Sequence, residues 1–133
     1  MADLYYTTDE FQPTQFLLGG YPAETRVVTI PTGAGNNFVA GSVMGSFSAT
    51  PNEMVLSDAS ANDGTEEPEA VLAEAVDATS EDKQAVVYIA GEFDEDKLTY
   101  GPSHDADTVR PVFRLKSMFL RKPVKQDGEH IDW

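Results

Sequence analysis

The stretch that most constrains this chain is Ala85 to Phe93, Ala-Val-Val-Tyr-Ile-Ala-Gly-Glu-Phe. It is the longest apolar run in the sequence, rich in β-branched and aromatic residues. Acidic turns bound it, Ser80-Glu81-Asp82-Lys83 before and Asp94-Glu95-Asp96-Lys97 after. A run this short and this rich in Val, Ile and Tyr predicts a strand buried on both faces. Alternation of apolar with polar residues sets in only at Gly91-Glu92-Phe93. The run is therefore expected to be the central strand of the chain's only core.

The 133 residues suit one domain, long enough to bury roughly two thirds of its unfolded surface. A hydrophobic fraction of 41% with 10% aromatics supplies a core, so wholesale disorder is not expected. Without cysteine, disulfides and thiolate metal sites are excluded. No run approaches the roughly 18 apolar residues that span a bilayer, and Met-Ala-Asp-Leu-Tyr-Tyr lacks a signal-peptide layout. The expectation is a soluble chain made and kept in the cytoplasm. Nine basic and 23 acidic residues give a net charge of −14, which argues against nucleic acid or an anionic membrane as a partner.

Residues 1 to about 25 carry Tyr5, Tyr6, Phe11, Phe16, Leu17, Leu18 and Tyr21, interrupted by Pro13, Gly19-Gly20 and Pro22. No helical or strand period fits them, and the prolines oppose a long regular element. The segment reads as an extended arm, lying over its own core or ordering only against a neighbour. Arg26–Ile30 is a short strand ended by Pro31. Thr32–Asn37 is a Gly/Asn turn of the kind that uses positive φ. Phe38–Phe47 is a glycine-interrupted strand, with Gly41 and Gly45 marking bulges or close backbone approaches. Met54–Leu56 is another short strand, followed by a polar loop from Ser57 to Glu69. Ala70–Val76 favours helix by composition but suits a strand by length. The one convincing helix spans roughly Asp107 to Ser117, capped by Asp105 or Asp107, with Pro111 tolerable only near its first turn. Val109, Val112 and Phe113 share its apolar face. Met118–Leu120 closes the fold as a strand. Six basic residues (Arg110, Arg114, Lys116, Arg121, Lys122, Lys125) cluster there, against an acidic remainder. They serve either to dock on an acidic surface or to balance the acidic body and the helix C-terminus.

Few constellations point to chemistry. Thr32-Gly-Ala-Gly-Asn-Asn lacks the Lys-Ser/Thr of a P-loop and the third glycine of a dinucleotide fingerprint, so a turn explains it. Asp58, Ser60, Asn62 and Glu69 fall at calcium-loop positions, but Asp63 occupies the sixth position where the turning glycine belongs. Fortuitous loop acidity accounts for the match better than a cation site. Only His104 and His130 could join a zinc site or a triad, and no Gly-x-Ser-x-Gly elbow appears. The carboxylate runs 66–69 and 94–96 read as solvated turns. Catalytic, cofactor-binding and metal residues are accordingly expected to be none.

The order of an Asp63-Gly64 loop, then Pro68-Glu-Ala-Val-Leu-Ala-Glu-Ala-Val-Asp-Ala-Thr79, then Val86-Val-Tyr-Ile-Ala-Gly-Glu-Phe93 resembles the head decoration proteins of tailed phages, the lambda D-type family. Gly41–Gly45 and Val112–Leu120 fit the same layout. The likeness covers roughly residues 26 to 122 and is densest over 63 to 93. It departs at the acidic loop and at the tail Gln126–Trp133. The resemblance implies an α+β fold, mostly β: a compact small domain over 26–133 with one C-terminal helix, and an extended arm over 1–25. It makes Ala70–Val76 a strand. It also implies a virion structural protein, a homotrimer on the capsid exterior at threefold sites, assembled in the host cytoplasm. Such a trimer would bind the major capsid protein and stabilise the head against DNA pressure. The arm would add to a sheet on the capsid, making Tyr5, Tyr6, Phe11, Phe16, Leu17 and Leu18 the capsid-binding residues.

Two other classes compete. One is a small β-rich module that recognises glycan or a host-surface protein through Tyr5, Tyr6, Tyr21, Tyr100 or Trp133. The other is a hydrolase built on His104 with Asp105 and Asp107.

Overall fold

The computed structural model describes residues 16–19 and 21–122. Its strands are β1 (Leu17–Leu18), β2 (Glu24–Ile30), β3 (Asn37–Phe38), β4 (Val43–Ser46), β5 (Met54–Leu56), β6 (Ala70–Leu72), β7 (Val76–Asp77), β8 (Lys83–Asp94) and β9 (Met118–Arg121). A 3-10 turn, Glu95–Lys97, follows β8, and helix α1 spans Ala106–Arg114. The fold is α+β and mostly β, with one helix near the C-terminal end.

β8 organises everything else. Lys83–Tyr88 and Ala90 pair antiparallel with β2 along one edge, in register from Thr25 opposite Tyr88 to Ile30 opposite Lys83, with Ile89 skipped at an irregularity. On its other edge Tyr88 and Val87 pair with Val71 and Leu72 of β6. The ladder continues from β6 to β4 and from β4 to β5. A parallel bridge from Thr29 to Glu53 brings the far end back to β2, and the Thr29 N–H donates to the Asn52 carbonyl at 2.9 Å. Five strands thus curl into a nearly closed barrel, which leaves few edges for unwanted pairing. β3 and β7 form a separate two-stranded ribbon.

The last four residues of β8 belong to a second assembly. Phe93 and Glu92 pair antiparallel with Leu17 and Leu18 of β1, while Gly91–Asp94 pair in parallel with Met118–Arg121 of β9. Two strands bonded to the same residues must occupy opposite edges, so β8 is fully flanked there. A parallel pair needs a crossover connection, and α1 supplies it between β8 and β9.

Two apolar clusters result. Val28, Ile30, Met44, Met54, Ala70, Leu72, Ala85 and Val87 fill the barrel. Val43, Val71, Phe93, Val109, Phe113, Met118 and Leu120 form a layer outside it, beneath the helix. Adjacent residues such as Val43 and Met44, or Val71 and Leu72, therefore face different cores. That is why Ala70–Leu72 is a strand despite its helical composition: extended backbone puts both faces of Ala-Val-Leu into apolar surroundings, whereas an isolated turn of helix could not. The Ala70–Val76 segment does not stay one strand, however, but breaks at Ala73–Ala75 into β6 and β7.

β8 departs from its expected burial. Its N-terminal half alternates, with Ala85 and Val87 buried and Gln84 exposed, whereas Ala90 to Asp94 are all buried. The sequence suggested the reverse, because Glu92 and Asp94 look like solvent-facing residues until β1 and β9 cover them. The helix also differs. Asp105 caps it, its carboxylate accepting the Thr108 N–H in a reciprocal capping box, but Pro111 lies in the second turn rather than the first. Pro111 is exposed, and the carbonyl it leaves without a helical donor belongs to Asp107, itself an exposed residue. Gly33 and Gly35 do not use positive φ; the Asn36 side-chain amide donating to the Pro31 carbonyl at 2.7 Å shapes that turn instead.

Gly41 (φ +91°) ends the link between β3 and β4. Gly45 has ordinary φ but no space: a Cβ there would lie 2.5 Å from the Thr65 carbonyl oxygen and 2.9 Å from that of Glu67. Both are backbone atoms of the acidic loop and cannot swing away. Gly35 has nothing within 4 Å of such a Cβ. Gly45→Ala is accordingly expected to lower unfolding stability by about 1–3 kcal/mol, and Gly35→Ala to leave it unchanged or slightly raised. Chemical denaturation of the pair decides the point; equal midpoints would show that the loop yields to Gly45.

Candidate functional site

The arm carries the candidate binding residues of the sequence, and the structure shows where three of them, Phe16, Leu17 and Leu18, sit. Phe16 is 4% exposed. Its ring lies nearly parallel to Phe93, centroids 6.4 Å apart, and edge-on to Tyr88 at 6.2 Å. Tyr88 and Phe93 themselves lie 5.8 Å apart, so three rings interlock in geometries aromatic pairs favour. Two glycines make room. A Cβ on Gly41 would meet the Phe16 ring at 3.3 Å, and one on Gly91 (φ +146°) would approach Leu17 Cδ1 at 3.5 Å. Burial pushes the Tyr88 phenol above its ordinary pKa.

Buried charges surround this seat. Glu92, Asp94 and Glu95 are each less than a tenth exposed, and charges withdrawn from water need partners. Arg121 forms an ion pair with Glu92. Arg110 Nη2 lies 2.7 Å from Glu95 and its Nη1 2.9 Å from Asp107; the Glu95 hydrogen bond leads in raising the guanidinium pKa above its already high value. The Asp94 carboxylate accepts the Asp96 N–H and starts the 3-10 turn. The Tyr100 hydroxyl donates to the Glu95 carbonyl at 2.8 Å, and burial, followed by the charge of Glu95, raises its pKa strongly.

The acidic loop is equally tied down. Glu69 accepts from the Ser46 hydroxyl at 3.0 Å, Glu66 from the Gly64 N–H at 2.9 Å, and Glu67 pairs with Lys116 at 2.8 Å. The carboxylate runs 66–69 and 94–96 are therefore not merely solvated turns. Arg110, Lys116 and Arg121 balance the acidic body, which favours the second reading of the basic cluster for these three. The sequence held the signal for this in its segregation of charge, without saying which acid meets which base.

The proposed chemical constellations come apart. Both nitrogens of His104 are engaged, Nδ1 with Thr108 Oγ1 and Nε2 with the Glu66 carbonyl, each at 3.0 Å. A carbonyl only accepts, so Nε2 carries a proton. Asp105 caps the helix and Asp107 faces Arg110, so the three do not converge as a hydrolase requires. Asp58 binds Ser60, and Glu69 binds Ser46; among the described residues no three acidic or histidine side chains gather as metal ligands. No helix among them is long and apolar enough to cross a membrane. Of the aromatic platforms, Tyr100 is bonded inward and Tyr21 packs edge-on against Phe119 at 5.0 Å. Tyr5, Tyr6, Phe11, His130 and Trp133 lie outside the described residues. The structure thus brings Phe16, Leu17 and Leu18 together on β8. Sequence reasoning missed Tyr88, Phe93, Gly41 and Gly91 as their seat.

The body is β-rich with a docked N-terminal strand, and Glu66, Glu67, Glu69, Glu92 and Glu95 are held by partners at loops and strand ends. The sequence model of bacteriophage lambda head decoration protein D matches residues 6–114, most of the chain, and the chain belongs to that family. It is a structural protein of the phage head, associated with the capsid. The match reaches ten residues into the arm before Phe16 and ends with α1, before β9. Among curated proteins no sequence matches.

Two outcomes test this geometry. Phe16→Ala is expected to cost less global stability than Phe113→Ala, for which about 3–5 kcal/mol is typical, because the arm seat can detach locally. Hydrogen exchange should accelerate around Leu17–Leu18 and Glu92–Phe93 while the barrel amides stay protected; uniform acceleration would make Phe16 part of the global core. Separately, Asp58, Asp63 and Asp77 accept hydrogen bonds from Ser60, Thr65 and Thr79, and the side-chain hydroxyl bonds lead in lowering each pKa below the usual 3.8. Lowered folded-state values mean stability that is present above pH 3.8 and lost as pH falls below it. Replacing all three with Asn keeps acceptors for the turns and is expected to flatten that part of the acid-unfolding curve, measured by circular dichroism against pH.

Proposed function

We propose that this protein is a homotrimer that binds the outside of the expanded phage head at threefold sites, contacts the major capsid protein through its N-terminal arm, and stabilises the shell against internal DNA pressure. Family membership supports the setting. The observation that carries the mode of attachment is the pairing of Leu17–Leu18 with Phe93–Glu92. The arm enters the body as a sheet strand at Leu17–Leu18, with Phe16 buried beside it. Tyr5, Tyr6 and Phe11 are then the apolar side chains offered to the capsid. Phe16, Leu17 and Leu18 act as the anchor that transmits load into β8.

The opening of β2 supports a contact with another copy. Glu24 to Val27 are all exposed although they are paired to β8, and Val27 is 53% exposed. A strand held in place yet uncovered on both faces is what a subunit interface covers.

The test is a truncation that stops short of the anchor. Deletion of residues 2–15 is expected to leave the oligomer mass at three chains, by sedimentation or mass photometry, and to abolish binding to purified expanded capsids. A monomeric full-length chain that fails to bind expanded capsids would overturn the proposal. Loss of trimers in the truncated form would move the arm from the capsid contact to the subunit interface.

A further inference from the structure

The chain contains two Asp-Gly pairs, Asp63-Gly64 and Asp127-Gly128. Asp-Gly is the dipeptide in which the backbone nitrogen after aspartate, unshielded by a Cβ, most readily attacks the side-chain carboxyl carbon. An N–Cγ bond forms and a Cγ–O bond breaks. The departing oxygen takes the carboxyl and amide protons and leaves as water, giving a five-membered succinimide. Water added to one ring carbonyl restores aspartate; added to the other, it gives isoaspartate. The net change is an isomerisation with water as the sole co-reactant. It needs a protonated carboxyl, so that water can leave, and a backbone nitrogen able to give up its proton.

At Asp63-Gly64 both are withheld. The Gly64 N–H donates to Glu66 Oε1 at 2.9 Å. Asp63 Oδ1 accepts from the Thr65 N–H at 3.1 Å and the Thr65 hydroxyl at 2.6 Å, and these bonds favour the ionised form. The backbone on either side is held as well, the Ser48 N–H donating to the Asp63 carbonyl at 2.9 Å. Glu66 is itself positioned, because its carbonyl accepts from His104 Nε2 at 3.0 Å. The fold cannot remove the hazard by changing the glycine: Gly64 has φ +105°, and a Cβ would collide with Ser48.

We propose that Glu66 is a guard residue, whose carboxylate holds the Gly64 amide proton and keeps Asp63-Gly64 from cyclising in the folded protein. The consequence of failure is local and severe. Isoaspartate adds a methylene to the backbone beside Thr65, whose carbonyl accepts the Ser57 hydroxyl at 2.7 Å and packs over Gly45. A head protein is not renewed once the virion is built, so slow chemical ageing at this loop accumulates.

The test ages full-length wild type, Glu66→Ala and Glu66→Gln at neutral pH and quantifies isoaspartate at residues 63 and 127 by peptide mapping. Asp127 serves as an internal clock. Glu66→Ala is expected to raise the rate at Asp63 about tenfold, the scale of losing a hydrogen bond to a charged acceptor, with no change at Asp127. Glu66→Gln, which keeps a weaker neutral acceptor, should give a smaller rise. Unchanged formation at Asp63 in a folded Glu66→Ala protein overturns the proposal. Should circular dichroism show that variant unfolded, Glu66→Gln decides: a rise confined to Asp63 supports the guard, and no rise overturns it.

Discussion

The structure depends on the backbone of β8. A strand has two hydrogen-bonding edges, and β8 has partners on both at Val87–Tyr88 and again at Glu92–Phe93 by changing partners midway: β2 and β6 for the barrel, then β1 and β9 beyond it. The change falls at Gly91, whose positive φ re-aims the chain between the two assemblies. The arm strand β1 and the closing strand β9 both attach to the last four residues of β8, Gly91–Asp94.

That arrangement explains why Glu92, Asp94 and Glu95 are buried in a chain so rich in solvated acid. Each lies at or just past the end of a strand covered from two sides. Arg121 comes from the very strand that does the covering, and Arg110 from the helix that leads to it. The basic C-terminal segment therefore neutralises what its own docking buries. The same logic holds in the acidic loop, where Lys116 meets Glu67 and helix-side His104 meets the Glu66 backbone. The helix crossover is fastened at both ends to acids that precede it in sequence, which couples the crossover to the loop and to the arm seat.

At Leu17–Leu18 the arm joins this system as a fourth strand on β8. Its three-ring contact with Tyr88 and Phe93 places the anchor against the same apolar layer that holds the helix. The arm's strand residues thus pair with the longest strand among the described residues.

The residues by themselves determined the β-rich class, one helix near the C-terminal end and the long strand around Ala85–Phe93, because each rests on local period and composition; they left its cap open between Asp105 and Asp107 and Gly45 open between a bulge and a close approach, which the structure decided for Asp105 and the close approach. They left Ala70–Val76 open between helix and strand, since its local preference is helical; burial between two cores decided it. They also suggested a solvated Glu92 and Asp94, because polarity is read one residue at a time while burial is set by strands more than twenty residues away. The arm's apolar residues were visible, but not that Phe16 belongs to the body while pairing with β8 is left to Leu17 and Leu18. Only the tertiary structure could settle that, because the seat is built from Gly41, Tyr88, Gly91 and Phe93, distant in sequence and joined by the strand that the whole fold is hung on.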